Sequence, residues 1–120
     1  MNTSDENSSL RRQQDRREHP RVKVRVPVEL CPEGSEVPIG AATSDISLGG
    51  CYVEMMFTLA KGTKLEITMK IDGTVLALGT VVTCDPHVGN GIKFNRMLPE
   101  DLEELRCCLD AARQASEPSS

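Results

Sequence analysis

The chain has 120 residues, of which 38% are hydrophobic, and it contains one Tyr, two Phe and no Trp. This length suits one domain with a modest core and excludes two full-sized domains. No apolar run approaches the roughly 20 residues of a membrane-spanning helix. The first nine residues also lack the apolar stretch of a secretory signal. We therefore expect a cytoplasmic protein with no membrane insertion.

The net charge of −4 is unevenly distributed along the chain. Residues 11–25 hold seven basic and two acidic side chains, whereas the rest of the chain holds seven basic and sixteen acidic ones. One basic segment on an acidic body favours a localised anion site over general nucleic-acid binding, which needs a broad positive surface. Few aromatic side chains are available as a stacking platform for single strands. We expect no DNA or RNA partner.

The reactive side chains do not form a recognisable catalytic or metal-binding pattern. The five cysteines are odd in number, no CxxC occurs, and neither histidine lies near a cysteine pair. Free thiols in a reducing cytosol are expected, rather than a zinc site or a disulfide framework. Because the common phosphate-loop, zinc-protease and Ser/His/Asp motifs are also missing, we predict no enzyme activity, catalytic residue, metal or cofactor.

Residues 1–10 and 114–120 are polar and lack periodicity, so we expect two disordered tails around a domain spanning residues 11–113. From Arg21 to Leu30, apolar residues alternate with charged residues and Pro27, which predicts a half-buried strand. Residues 37–44 form a weaker strand candidate. The paired Gly49 and Gly50 then suit a turn or bulge with positive φ.

A further strand is predicted after this turn, because apolar residues alternate with polar ones from Cys51 to Met55. Asp72-Gly73 is typical of a two-residue type I′ hairpin turn. That turn would pair Ile71 with Thr74 and would place four apolar side chains on one face, namely Ile67, Met69, Leu76 and Leu78. A loop at residues 86–90 and a short strand at residues 91–94 would follow.

The last segment has the features of a helix. Pro99 suits a first helical turn, and Glu100 and Asp101 favour the positive end of the helix dipole. One apolar stripe has helical spacing and comprises Leu98, Leu102, Leu105, Leu109 and Ala112. This helix would pack on the sheet, with partner binding as the alternative. About six strands and one helix predict a small closed β-barrel.

The first motif with chemical potential is the run from Arg16 to Arg21. Pro20 keeps His19 out of helical geometry, so the run is predicted to be a connecting loop. Guanidinium forks fit phosphate oxygens and also the O6/N7 edge of guanine. Taken alone, the run is better explained as a solvated stretch of charge.

The second motif is Asp-x-Ser-x-x-Gly, formed by Asp45, Ser47 and Gly50. A carboxylate can accept hydrogen bonds from guanine N1–H and N2–H, and a hydroxyl can bridge to base or phosphate. Asp45 and Ser47 would project to the same side of an extended chain, and Gly50 would leave room for a ligand. Taken alone, this pattern is also an ordinary turn sequence.

Together, Arg-x-x-x-Arg (Arg17 and Arg21) followed by a strand and Asp-x-Ser-x-x-Gly resembles the PilZ domain family of bacterial cyclic di-GMP receptors. The resemblance covers roughly residues 16–110. It implies a six-stranded antiparallel β-barrel with a C-terminal α-helix and cyclic di-GMP as the ligand. Because Arg16 precedes the first motif arginine, the resemblance favours two stacked, intercalated ligand molecules per chain. The ligand-binding residues that it implies are Arg16, Arg17, Arg21, Asp45, Ser47, Gly49 and Gly50.

The crowded charges of residues 11–21 lead to a hypothesis for the mechanism, because without a ligand these charges would lack partners. Two ligand phosphates would draw residues 11–21 from a mobile state onto the barrel near Asp45, and an unidentified partner protein would read the changed surface. The alternative is a PilZ-like structural adaptor that binds only protein, through its C-terminal helix or through the apolar cluster Met55-Met56-Phe57.

Overall fold

The computed structural model describes residues 20–116, which form six strands and one helix. The sheet closes in the order β1-β2-β3-β6-β5-β4, and every neighbouring pair is antiparallel. The predicted six-stranded antiparallel barrel with a C-terminal helix is confirmed. The elements are β1 (Pro27–Pro32), β2 (Ile39–Ser47), β3 (Gly50–Glu54), β4 (Lys64–Lys70), β5 (Thr74–Asp85), β6 (Gly89–Met97) and α1 (Pro99–Ser116).

The first predicted strand has the expected buried face but a shorter hydrogen-bonded ladder. Val22, Val26, Val28 and Leu30 are all buried. Regular pairing with β2 nevertheless begins only at Pro27, and the preceding residues join β2 through one bridge between Val22 and Ile46. Proline lacks an N–H, so it is found at the first residue of a strand rather than inside a central ladder.

Thr43 anchors the segment that precedes β1. Its buried hydroxyl donates to the Val24 carbonyl at 2.7 Å and accepts from the Val26 N–H at 3.0 Å. These bonds replace part of the missing ladder, since buried backbone groups need partners. They also fix the path of the chain that leads back to Arg21.

The register of the β4–β5 hairpin differs from the prediction by one residue. Lys70 pairs with Thr74, so the connection has three residues, and Met69 faces Val75 instead of Leu76. Neither Asp72 nor Gly73 takes the positive φ that a type I′ turn requires. A slip of one residue reverses the faces of a strand. As a result, Leu76 and Leu78 lie outside the barrel, 41% and 42% exposed.

The C-terminal part of the chain is more regular than expected. The last strand, β6, is nine residues long and begins inside the segment predicted to be a loop. The helix α1 packs against β5 and buries Leu105 and Leu109, whereas Leu98 and Leu102 are exposed. It extends to Ser116, past the predicted domain end at residue 113. Within residues 20–116, no helix is long and apolar enough to cross a membrane.

Candidate functional site

Arg21 is held beside the Asp-x-Ser-x-x-Gly motif by the backbone. The N–H and carbonyl of Val22 exchange hydrogen bonds with those of Ile46, at 2.8 and 3.0 Å. Both apolar side chains point into the core, with Val22 7% and Ile46 0% exposed. This antiparallel bridge places Arg21 next to Ser47 and diagonal to Asp45. The two stretches that the sequence motifs occupy therefore meet on one side of the barrel.

The guanidinium of Arg21 forms an ion pair with the carboxylate of Asp45 through Nη1 and Oδ1. The arginine side chain is 55% exposed and the aspartate side chain 26%, so solvent reaches both groups. Pairs exposed to this degree contribute little to stability, at most about 1 kcal/mol. Both charged groups can therefore exchange partners with an incoming ligand at low cost.

A β-bulge determines how Asp45 is displayed. The β2–β3 register shifts between Thr43 and Asp45, and Ser44 is the additional residue. Thr43 and Ile46 are both fully buried although they are three positions apart. A bulge adds one residue and so changes the phase of the strand. It keeps Ile46 in the core and leaves Asp45 on the outer face, where Arg21 reaches it.

Ser47 holds the turn between β2 and β3. Its hydroxyl donates to the Gly50 carbonyl at 3.3 Å and accepts from the Gly49 N–H at 3.1 Å. The side chain is only 5% exposed. The serine therefore shapes the turn through two local hydrogen bonds, a structural role that its spacing in the motif did not reveal.

The glycines of the motif bring β3 close to β6. A Cβ on Gly50 would lie 2.3 Å from the carbonyl oxygen of Ile92. Gly50 does not take a positive φ, contrary to the expectation for this turn. Glycine is therefore required at this position because the backbone of β6 comes so close that no side chain fits. The carbonyl of Gly49 accepts from the N–H of Phe94 at 2.9 Å, which ties the turn to the same strand.

Two further side chains lie next to the motif. Cys51 is in the core beneath it, where burial raises the pKa of the thiol to about 12, while the nearby Arg21 opposes this rise and Asp45 adds to it. Tyr52 pairs with Asp45 in the register of β2 and β3. Its hydroxyl donates to Asp85 at 2.7 Å, and this bond raises the pKa of Tyr52 to about 12.

Among the cavities on residues 20–116, two are relevant to where a ligand could bind. The larger, about 630 Å³, contains none of the predicted site residues and is bordered by the turn after β1 and the outer face of β5. The smaller, about 240 Å³, lies between the motif region and α1, and we call it the helix cavity. Although it is smaller, it is the one of the two that adjoins the motif, and no sequence motif connects α1 with the site.

The structure thus brings together five of the seven predicted ligand-binding residues: Arg21, Asp45, Ser47, Gly49 and Gly50. Arg16 and Arg17 lie outside the described residues. Among residues 20–116, no group of three or more His, Cys, Asp and Glu side chains is arranged to hold a metal ion. The assembled groups are a guanidinium, a carboxylate and a tight turn, which suit recognition of a polar, anionic ligand.

Comparisons with known proteins identify the domain family and the fold. The model of the PilZ domain matches residues 15–111, which include both motifs. Among curated proteins, no sequence matches the chain significantly.

Three solved structures share the fold. The PilZ domain of CeSA from a cellulose-synthesizing bacterium is 21% identical with a TM-score of 0.61, and the match covers 77% of this chain and 97% of that one. The inhibitor of motility MotI/DgrA of Bacillus subtilis is 18% identical with a TM-score of 0.69, covering 87% and 54%. The PilZ domain of YcgR from Escherichia coli, solved with c-di-GMP, is 12% identical with a TM-score of 0.67, covering 84% and 94%.

Proposed function

This chain belongs to the PilZ domain family, and on that premise we propose that it is a cytoplasmic receptor for cyclic di-GMP. The observation that supports this most directly is the meeting of Arg21 with Asp45 on one face of the barrel. The two groups come from the two sequence motifs and are 24 positions apart. The YcgR domain solved with c-di-GMP has the same fold.

Each group of the Arg21–Asp45 pair has a counterpart on the ligand. The guanidinium can donate two parallel hydrogen bonds to phosphate oxygens or to the O6/N7 edge of guanine. The carboxylate can accept from guanine N1–H and N2–H. Binding would therefore exchange one internal ion pair for two charge-assisted contacts with the ligand, and neither charge would be left without a partner.

The remaining arginines extend the proposal to the segment before the barrel. In our proposal, Arg17 contacts guanine and phosphate together with Arg21, and Arg16 serves a second, intercalated ligand molecule. The bound phosphates hold residues 11–21 against the barrel, and the surface formed in this way is read by a downstream protein. In this function the chain binds and signals without catalysing a reaction.

Isothermal titration calorimetry of the full chain with cyclic di-GMP tests the proposal. We expect saturable binding near two ligands per chain, and we expect Arg17→Ala or Arg21→Ala to abolish it. Arg25→Ala is the matched control, since Arg25 lies on the same segment and pairs with Glu54 at 3.3 Å but belongs to neither motif. Cyclic di-AMP is the ligand control, because adenine lacks the O6 acceptor and the N1–H and N2–H donors.

Absence of binding to the wild-type chain at micromolar cyclic di-GMP would refute the proposal. Equal losses in Arg21→Ala and Arg25→Ala would refute the role of the motif, because the effect would then reflect charge alone. Saturation at one ligand per chain would contradict only the proposed binding of a second ligand molecule by Arg16.

A specific observation also supports the second candidate, a PilZ adaptor that binds only protein. Met55 is buried, but the adjacent Met56 and Phe57 are 62% and 85% exposed, together with Val88 at 58%. Exposed apolar side chains grouped in this way are typical of protein contacts. The adaptor predicts that a partner is captured equally with and without cyclic di-GMP and is lost in Phe57→Ser, whereas the receptor predicts capture that depends on the ligand.

A further inference from the structure

The helix cavity is formed partly by the backbone that carries the two motifs. Pro20 and Val22 lie on either side of Arg21, and Leu48 follows Ser47, and all three line this cavity of about 240 Å³. The opposite wall belongs to α1 and consists of Arg106, Leu109, Asp110 and Arg113. The helix cavity thus adjoins the backbone on both sides of Arg21 and directly after Ser47.

The helix presents two guanidinium groups to this cavity. Arg106 and Arg113 are seven residues apart, about two helical turns, so they share one face. Between them, Leu109 is buried and fixes that face against the barrel. The two arginine side chains are 50% and 48% exposed, so their stems can line the wall while their charged ends reach the opening.

Both guanidinium groups are engaged in exchangeable ion pairs. Arg106 donates to the two carboxylate oxygens of Glu103 at 2.5 and 2.7 Å, and Arg113 donates to Asp110 at 3.3 Å. These are exposed pairs between residues three apart on a helix, which contribute little to stability. A phosphate group offers the same two-oxygen geometry with more negative charge, so it can replace a carboxylate partner.

We infer that Arg106 and Arg113 are additional ligand-binding residues and that they hold a phosphate group of the cyclic dinucleotide bound at the motif. The inference rests on the proposed function, because the motif supplies the remaining contacts. The volume of the helix cavity is below the about 300–1,000 Å³ of sites that enclose a whole small molecule. It therefore suits one part of the ligand, and the bound phosphate connects the barrel to α1.

Titration calorimetry with cyclic di-GMP tests the inference on the full chain. Arg106→Ala and Arg113→Ala should each weaken binding by about tenfold, the loss expected for a charge-assisted hydrogen bond. Arg106→Lys should fall between wild type and Arg106→Ala, because lysine keeps the charge but loses the fork. Arg96→Ala is the control: it removes the same charge at an exposed position that lines the larger cavity, and it should leave affinity unchanged.

A second measurement does not depend on the variants. Adding cyclic di-GMP to the wild-type chain should shift the backbone amide resonances of Leu48 and Leu109 together. A shift at Leu48 alone, or affinities of Arg106→Ala and Arg113→Ala equal to that of Arg96→Ala, would overturn the inference and leave the proposed receptor function intact. A wild-type chain that binds no cyclic di-GMP would overturn both.

Discussion

The guanidinium of Arg21 contacts the carboxylate of Asp45, and this contact joins the segment before β1 to the outer face of β2. A single hydrogen-bonded bridge, between Val22 and Ile46, holds the two backbones in this position. The ion pair is exposed to solvent, so its value for stability is small. It places two groups of opposite charge side by side on the outside of the barrel, where, in the proposed receptor, one ligand contacts both.

The carboxylate of Asp45 should matter for binding far more than for folding. We expect Asp45→Asn to reduce affinity for cyclic di-GMP by about tenfold or more, since guanine loses an ionised acceptor. Its free energy of unfolding should change by less than about 1 kcal/mol. Calorimetry and urea denaturation measure the two effects. Glu54→Gln breaks the comparable pair with Arg25 and should leave affinity unchanged; a similar loss there would contradict the assignment.

A side chain at Gly50 should destabilise the fold. In Gly50→Ala the new methyl group would lie 2.3 Å from the Ile92 carbonyl oxygen, so β3 and β6 must separate. We expect a loss of about 1–3 kcal/mol in the free energy of unfolding, measured by urea denaturation. Gly40→Ala in β2 is the control, because a Cβ there meets nothing within 4 Å. Equal stability of the two variants would show that the close approach is not restrictive.

The buried thiol of Cys51 should make stability depend on alkaline pH. Burial raises its pKa from 9.0 to about 12, so between these values the folded chain retains a proton that the unfolded chain has lost. The free energy of unfolding should therefore fall as pH rises above 9, by at most about 1.4 kcal/mol per pH unit from this group.

Urea denaturation of wild type and Cys51→Ala between pH 8 and 10 measures the contribution of the thiol. Only wild type should show the fall in the free energy of unfolding that is due to Cys51. Tyr52→Phe should show the same fall as wild type. The pKa of Tyr52 is 10.0 in the unfolded chain and about 12 in the folded chain, so its hydroxyl stays largely protonated in both states over most of this pH range. Identical slopes in wild type and Cys51→Ala would contradict the buried, protonated thiol.

The register of the β4–β5 hairpin can be checked with a charged side chain on each face. Leu76→Lys should fold normally, because Leu76 is 41% exposed. Val75→Lys should unfold the domain, because Val75 is fully buried and its ammonium group would have no partner there. Thermal denaturation followed by circular dichroism compares them. The opposite order of stabilities would restore the two-residue turn that Asp72-Gly73 suggests.

The first strand and the β4–β5 hairpin show which parts of the fold the sequence predicts and which it does not. Alternation located the buried face of the segment from Val22 to Leu30, because a period of two depends only on the strand itself. The pairing of β4 with β5 depends on the loop conformation as well. Several apolar residues of β5 compete for the interior, and the Asp-Gly signature did not decide between two-residue and three-residue connections.

In the candidate site, too, the sequence predicts which residues belong together but not the contacts they make with neighbouring strands. Spacing alone indicated that Asp45 and Gly50 belong together, and motif recognition linked them to Arg21. The hydrogen bonds that occupy Ser47 and the approach of Gly50 to Ile92 depend on neighbouring strands, which local sequence does not specify. The helix cavity was missed for a related reason, because its two arginines looked like ordinary surface charges of an amphipathic helix.

The additional residue at Ser44 determines, through the two-residue period of the strand, on which face of β2 Asp45 lies. Without the bulge, regular alternation from the buried Thr43 through Ser44 would turn Asp45 toward the interior and Ile46 toward water. Deleting Ser44 would instead leave Thr43, Asp45 and Ile46 in ordinary alternation, with Asp45 still on the outer face. Strands that differ by this one residue can therefore present Asp45 on the same face. A one-residue gap at Ser44 in a sequence alignment is thus compatible with the same placement of the motif on the barrel.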